Sequence, residues 1–237
     1  MTDAIKWERR DSGFDVTLLK YSVRRLIPLG YGPDVLDVGC NDGLFTKELC
    51  KVYKRVVGLD PSSVHLAKAQ QYVPEAELCI DSIETYTPDR LFDSIYMLNV
   101  LEHINNPVQT LAVMRRWLKP DGCIIIQVPN ALAMNRRIGL KMRLIENAYS
   151  LSTVDIKIGH KRFYDADSLK QDVFDSGLIV KDEGSIFFKP FSNSQMDYFI
   201  THCMDDAALQ DKFCDACFEL AGELPQYSGP IWVKCKN

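Results

Sequence analysis

No stretch of this chain approaches the roughly 20 consecutive apolar residues of a membrane-spanning helix. No basic segment followed by an apolar run opens it either, so neither membrane insertion nor export is expected. Net positive charge is missing too. Lysine and arginine total 28 against 32 aspartates and glutamates, a formal charge of −4, which argues against a nucleic-acid partner. Histidine is scarce, with four in 237 residues, so His65, His103, His160 and His202 must each be weighed wherever a base near neutral pH is wanted. A disulfide framework is also lacking. The eight cysteines, at positions 40, 50, 79, 123, 203, 214, 217 and 235, are scattered through a chain whose 46% hydrophobic content can bury a full core unaided. Reduced thiols and a cytoplasmic protein of one domain, 1–237, are the expectation. His202, Cys203, Cys214 and Cys217 come nearest to a zinc ligand set. Phe213, Cys217 and Leu220 fall at helical spacing, however, so these cysteines read as small buried hydrophobes and no metal is expected.

What the chain does have is the stretch Val35 to Gly43, VLDVGCNDG. Val35, Leu36 and Val38 form a strand-like apolar run, Pro33 bars a helix upstream, and Gly39 and Gly43 supply freedom where the backbone must turn. Leu44, Phe45, Leu49 and Cys50 then fall near helical spacing, so the turn joins a strand to a helix N-terminus. Such a turn lets a ligand lie close to backbone N–H groups, with Asp37 at the strand end free to accept a hydrogen bond. An ordinary strand-to-helix turn would look the same in isolation.

A second apolar run, RVVGLD from Arg55, ends in Asp60 and is followed by Pro61, Ser62 and Ser63. Asp60 lies about 20 residues past the glycine turn, where a dinucleotide-type unit places the carboxylate for a ribose hydroxyl pair. It could instead cap the next helix, a role open equally to Ser62. Further strands are expected at Ala76 to Ile80, ending in Asp81 and Ser82, at Phe92 to Leu98, and at Cys123 to Val128. A sixth is expected near Leu178 to Phe188 and a last at Ile231 to Lys236. Alternation with helices makes the fold α/β, a doubly wound, Rossmann-like, mostly parallel seven-stranded sheet with its ligand at the carboxyl ends of the strands.

Taken in order, VLDVGCNDG, VVGLDPS, IDSIE, FDSIYMLNVLEHINNP and LKPDGCIIIQVPN resemble the class I S-adenosylmethionine-dependent methyltransferases. The likeness covers Pro33 to Asn130 and, with DADSLKQDVFDSGLIV, reaches about Val180. It implies S-adenosylmethionine as cofactor. By that resemblance Asp37, Gly39, Cys40 and Gly43 cradle its methionine part and Asp60 takes its ribose hydroxyls. Pro61 and Ser62 would flank the adenine, Asp81 and Ser82 reach its exocyclic nitrogen, and Asn99 and Val100 lie beside the sulfonium. Asn41 stands where the family often has glycine, and asparagine tolerates the left-handed backbone that glycine would adopt. A nicotinamide enzyme would need G-x-G-x-x-G where this chain has D-x-G-x-x-x-G, and the DNA amino-methylating type would need D/N-P-P-Y/F where it has NVLE.

About thirty residues separate the fifth strand from the next helix, which is expected at Asp165 to Ser176 with Gly177 as its cap. Ala131 to Ala148 reads as a helix with Met134, Ile138, Met142 and Ile145 on one face, so 131–164 is expected to be a helical lid over the substrate. Arg136, Arg137, Lys141, Arg143, Lys157, Lys161 and Arg162 fall there against only Glu146 and Asp155. This suits a small anionic acceptor, such as a phosphorylated or nucleotide-linked sugar or a carboxylate, or equally a solvated face. Arg136, Arg137, Lys161, Arg162 and Tyr164 are the candidate substrate contacts, and His103 and His160 the candidate bases for a hydroxyl acceptor. Residues 1–32, with Trp7, Phe14 and Tyr21, could cover the cofactor, although aromatic residues at helical spacing are more often core. The helical 193–224 segment could wall the acceptor pocket or form a homodimer interface. The expected activity is methyl transfer to oxygen or nitrogen of a small polar metabolite. The alternative is an inactive cofactor-binding partner subunit.

Overall fold

Period-two alternation along the strands decides how this chain packs. The computed structural model describes residues 13–237. Its strands are β1 (Asp34–Val38), β2 (Arg55–Asp60), β3 (Glu77–Ile80), β4 (Phe92–Leu98), β5 (Leu118–Val128), β6 (Ile179–Ser185) and β7 (Ile231–Lys236). They form one seven-stranded sheet in the order β3-β2-β1-β4-β5-β7-β6, in which β7 alone runs antiparallel to its neighbours. The helices are α1 (Phe14–Leu26), α2 (Leu44–Cys50), α3 (Ser63–Tyr72), α4 (Pro107–Arg115), α5 (Met134–Lys141), α6 (Thr153–Lys157), α7 (Ala166–Asp175), α8 (Asn193–Cys203) and α9 (Ala207–Glu223).

Successive side chains of a strand point to opposite faces. Leu36, Val38, Ile95, Met97, Ile124 and Ile126 join one core, closed by Leu111 and Met114 of α4 and Leu169 and Val173 of α7. Val35, Tyr96, Cys123 and Ile125 join the other, closed by α1, α2, α8 and α9. With both faces covered, the central strands send apolar residues to both sides, and the polar ones fall near their ends. The strand order reverses between β1 and β4, and a crevice opens there at the carboxyl ends. Among the described residues no helix is long and apolar enough to cross a membrane.

The inserted segment differs from the single helix expected over 131–148. Helix α5 stops at Lys141, because Arg143 takes a left-handed backbone angle of φ 60 and the chain reverses into turns. A second short helix, α6, follows with Ser152 and Asp155 in a reciprocal capping box. The expected aromatic cover is also corrected in part. Phe14 and Tyr21 of α1 are 3% and 1% exposed and pack on Phe187, with Tyr21 also against Phe218, in the core shared with α8 and α9. Trp7 lies outside the described residues.

At the amino ends of the strands, opposite the crevice, Asp34 accepts hydrogen bonds from Arg55 and, at 2.6 Å, from Lys119, which also reaches Asp93 at 2.8 Å. The Arg55 guanidinium, above all, holds the Asp34 carboxyl well below the usual carboxylate range. Its stabilising charge is therefore present above the unfolded carboxylate pKa and is lost as pH falls through the lower folded value. Replacing Asp34 by Ala should cost about 2 kcal/mol at neutral pH, read by urea denaturation, and leave cofactor affinity unchanged because the network stands at the far end of the sheet.

Candidate active site

Strand β1 carries a buried acid one residue before its end. Asp37 is 3% exposed, and its Oδ2 accepts a 2.7 Å hydrogen bond from the Thr46 hydroxyl of α2. Burial, reinforced by Asp60, pushes the Asp37 carboxyl up to about 7 against the opposing hydrogen bond from Thr46. Among the described residues no lysine, arginine or histidine forms an ion pair with it. A buried carboxylate in that state suits a cationic ligand.

The turn that follows is left-handed at Gly39 (φ 73), Asn41 (φ 50) and Gly43 (φ 85). A Cβ on Gly39 would lie 2.4 Å from a methyl of Val100, so glycine is what lets this turn nest against the loop after β4. Expected donors prove to be engaged. The N–H groups of Gly39 and Cys40 go to the Leu59 carbonyl, that of Gly43 to the Cys40 carbonyl, and that of Asn41 to Asp60. The turn therefore offers a ligand close approach rather than these four hydrogen bonds. The Cys40 side chain packs with Leu66, Ala69 and Val73, where burial pushes its thiol up and keeps it neutral, so only its backbone can line a cradle.

Asp60 ends β2 with both oxygens placed. Oδ2 accepts from Asn41 N–H at 3.0 Å and Oδ1 from Ser62 N–H at 2.9 Å, and His65 stands 3.6 Å away. Ser62, not Asp60, is the N-cap of α3, accepting from His65 N–H. Pro61 is exposed beside it. At the end of β3, Asp81 accepts from the N–H of Ser82 and from the Thr85 hydroxyl. These acids end neighbouring strands along one edge of the crevice. Their positions fit a ligand with a cation, a hydroxyl pair and an aromatic amine laid across the strand ends. Asp37, Gly39 and Gly43 would hold the amino-acid part, Asp60 the ribose, and Pro61, Ser62, Asp81 and Ser82 the base.

Beyond β4 comes the acceptor side. Asn99 is left-handed at φ 54 and donates its N–H to the Gln127 carbonyl, and Val100 follows it onto a one-turn 3-10 helix, Leu101–His103. Sequence reasoning assigned Glu102 no role, yet it is fully buried with both carboxylate oxygens lacking a hydrogen-bond partner. Burial pushes it up to about 8. The two candidate bases meet beside it. The His103 and His160 rings are 4.7 Å apart edge to face, and His160 Nε2 lies 3.8 Å from Glu102 Oε1. Burial lowers the pKa of both histidines, helped at His160 by its neighbour His103.

Several expected acceptor contacts are corrected. Tyr164 is 2% exposed and gives its hydroxyl proton to Asp172 of α7, so it is a core residue and not a pocket wall. Arg136 lies 3.8 Å over the Phe163 ring and donates to the carbonyls of Ala148 and Ser150, which pins the inserted segment and leaves little to grip an anion. Arg137 stacks on Tyr227, and Arg162 donates to the Asn105 carbonyl. Lys161 ties its N–H to the Glu102 carbonyl, and its exposed side chain bears on His103. Cys214 and Cys217 are buried in α9, Cys203 is exposed, and His202 stacks on Tyr198. Among the described residues these four form no ligand cluster.

Comparison with known proteins identifies the family and the fold. A family model described as "Methyltransferase domain" matches residues 7–182. Among curated proteins, a ubiquinone biosynthesis O-methyltransferase of Bradyrhizobium diazoefficiens is 27% identical over 73% of this chain and 68% of its own length. The mitochondrial protein of the same name from Bos taurus is 26% identical over 81% of this chain and 55% of its own. The chain thus spans about two thirds or less of the length of these relatives. Among solved structures, an S-adenosylmethionine-dependent methyltransferase from Mesorhizobium loti shares the fold, with a TM-score of 0.63 at 17% identity over 95% of this chain and 100% of the other. The extent of the family match, on a sheet whose strand ends carry Asp37, Asp60 and Asp81 in order, places the chain among the class I S-adenosylmethionine-dependent methyltransferases.

Proposed function

We propose that this protein methylates a hydroxyl oxygen of a small molecule. The observation that carries the reading is the gathering of Glu102, His103 and His160 just past Asn99, because a hydroxyl acceptor must lose a proton whereas an amine can arrive neutral. The O-methyltransferase names of the curated relatives support it. Met142, Leu144, Val154, Ile156 and Ile158 of the inserted segment are each more than half exposed, which supports an acceptor with an apolar part. Exposed Lys141, Arg143 and Lys157 leave room for an anionic group on the same molecule.

When bound, S-adenosylmethionine supplies a methyl group on a good leaving sulfonium. The chain's own contribution is orientation and proton handling. Asp60 fixes one end of the ligand, the Gly39 turn seats against Val100, and the buried cluster of Glu102, His103 and His160 receives the acceptor's hydroxyl. The lowered pKa of each histidine keeps it neutral near pH 7, as a proton acceptor must be. Replacing His160 by Ala should reduce kcat on the order of 100-fold and leave the S-adenosylmethionine Kd unchanged. Release of S-adenosylhomocysteine with hydroxyl and amine acceptors measures the first, and calorimetry the second. Turnover confined to amines would refute the oxygen acceptor. Cofactor binding with no turnover on either class would favour the partner-subunit alternative.

Asp37 gives a pH dependence. Its folded pKa is raised above the unfolded carboxylate value, so between the two the folded protein holds a proton that the unfolded chain has lost. Stability of the cofactor-free protein should fall as pH climbs from about 4 to about 7. A cation beside Asp37 favours the carboxylate, so cofactor affinity should rise from pH 6 to about 7 with uptake of the ligand releasing a proton. Calorimetry in two buffers of different ionisation heat reads that proton directly. In Asp37→Asn the release should vanish and affinity drop, and equal proton release in the variant would exclude Asp37 as its source.

A further inference from the structure

A fully buried carboxyl group with neither oxygen hydrogen-bonded is costly, and it can carry its charge there only if something cationic completes it. Glu102 is in that condition, and no lysine or arginine side chain forms an ion pair with it among the described residues. What faces it are two imidazoles. Ligand atoms of Glu102, His103 and His160 all lie within 4.8 Å of one another, and among the described residues no other trio of histidine, cysteine and acidic side chains does so.

We propose that Glu102, His103 and His160 form a binding site for a divalent transition-metal ion of the zinc type, with an open position for the acceptor's hydroxyl oxygen. Two histidines and one carboxylate make a donor set that zinc sites with an open fourth position use. Ligands about 2.0–2.2 Å from such an ion stand roughly 3.4 Å apart. Closing from 3.8 Å between His160 Nε2 and Glu102 Oε1 therefore takes only side-chain rotation. Magnesium, which prefers an all-oxygen octahedron, suits the two nitrogens poorly.

The groups behind the trio orient it. His160 Nδ1, on the ring edge away from Glu102, is 3.5 Å from Asp155 Oδ1, an arrangement that favours a proton on Nδ1 and a lone pair on Nε2. Asp155 is itself fixed, with its other oxygen accepting from the Ser152 N–H at 2.7 Å. The His103 ring turns its Nδ1 edge toward Gly159, which leaves Nε2 for a ligand. Asp155 and Gly159 both belong to the inserted segment, so that segment would supply the outer support of the ion as well as His160. The role assigned to the ion rests on the oxygen-acceptor reading above, and with the ion bound the two imidazoles act as its ligands rather than as proton acceptors. Coordination would acidify the hydroxyl, whose O–H bond breaks with the proton passing to water. The oxygen keeps the electron pair, forms the new O–C bond, and the C–S bond breaks with its pair returning to sulfur.

Metal-stripped protein titrated with Zn2+ and with Co2+ tests the site without reference to activity. One equivalent of each should bind, and Co2+ should give the visible absorption of a four- or five-coordinate nitrogen and oxygen site. Glu102→Gln, His103→Ala and His160→Ala should each weaken binding by 100-fold or more. Asp155→Asn should weaken it about 10- to 100-fold, as loss of an outer partner does. S-adenosylmethionine affinity, measured on the same samples, should persist in all four and certify that each is folded. Failure to bind either ion, a thiolate charge-transfer band placing Co2+ on cysteine, or undiminished binding in the Glu102 and His160 variants would overturn the site. Metal binding as described together with turnover on amines alone would leave the site standing and defeat the oxygen-acceptor reading.

Discussion

The carboxylate of Asp60 joins the ends of two neighbouring strands, and the cofactor crevice takes its shape from that join. One oxygen holds the Asn41 N–H of the turn after β1, and the other holds the Ser62 N–H where α3 begins. The turn can approach so closely only because Asn41 accepts a left-handed backbone and Gly39 has no side chain to strike Val100. Val100 in turn leads into Leu101, Glu102 and His103. A single chain of contacts thus runs from the second strand, through the glycine turn, to the acceptor side of the crevice.

Two buried acids beside the crevice have strongly raised pKa values. Asp37 and Glu102 both sit in surroundings that penalise their charge, with carboxyls pushed up to about 7 and about 8. Elsewhere the chain does pair its buried acids: Asp34 is held by Arg55 and Lys119, and Glu48 by Lys51 at 2.6 Å. The difference is positional. Paired acids stand away from the crevice and serve the fold, whereas among the described residues the buried acids that lack an arginine or lysine partner, Asp37, Asp60 and Glu102, stand at the carboxyl ends of β1, β2 and β4. Each is thereby arranged to be completed by something other than a protein cation, which is a physical signature of a binding site.

Much of the fold was legible because it rests on local pattern. RVVGLD and FDSIYML are short, mostly apolar runs rich in strand-forming residues, and they form β2 and β4 with those limits. Glu102 was not legible, since a glutamate beside a histidine carries no sign that His160 will return to it through the inserted segment. An isolated acid within an otherwise apolar stretch was the one available hint. Residues 131–148 misled because their apolar spacing continues past Lys141, while Arg143 turns left-handed and Arg136 bonds forward to the Ala148 and Ser150 carbonyls. Tyr164 and Arg136 look like ligand contacts by residue type, yet Asp172 and Phe163 claim them, and such partners are set by tertiary structure alone.

The join made by Asp60 can be cut at its ligand-facing function. Calorimetry of S-adenosylmethionine binding to the wild type, Asp60→Asn and Asp60→Ala tests it most directly, with thermal melting to confirm that each variant folds. If Asp60 holds the ribose hydroxyl pair as proposed, loss of two charge-assisted hydrogen bonds should weaken binding by roughly 100-fold or more, with Asn losing less than Ala because it keeps one acceptor oxygen. Wild-type affinity in a folded Asp60→Ala protein would contradict the account.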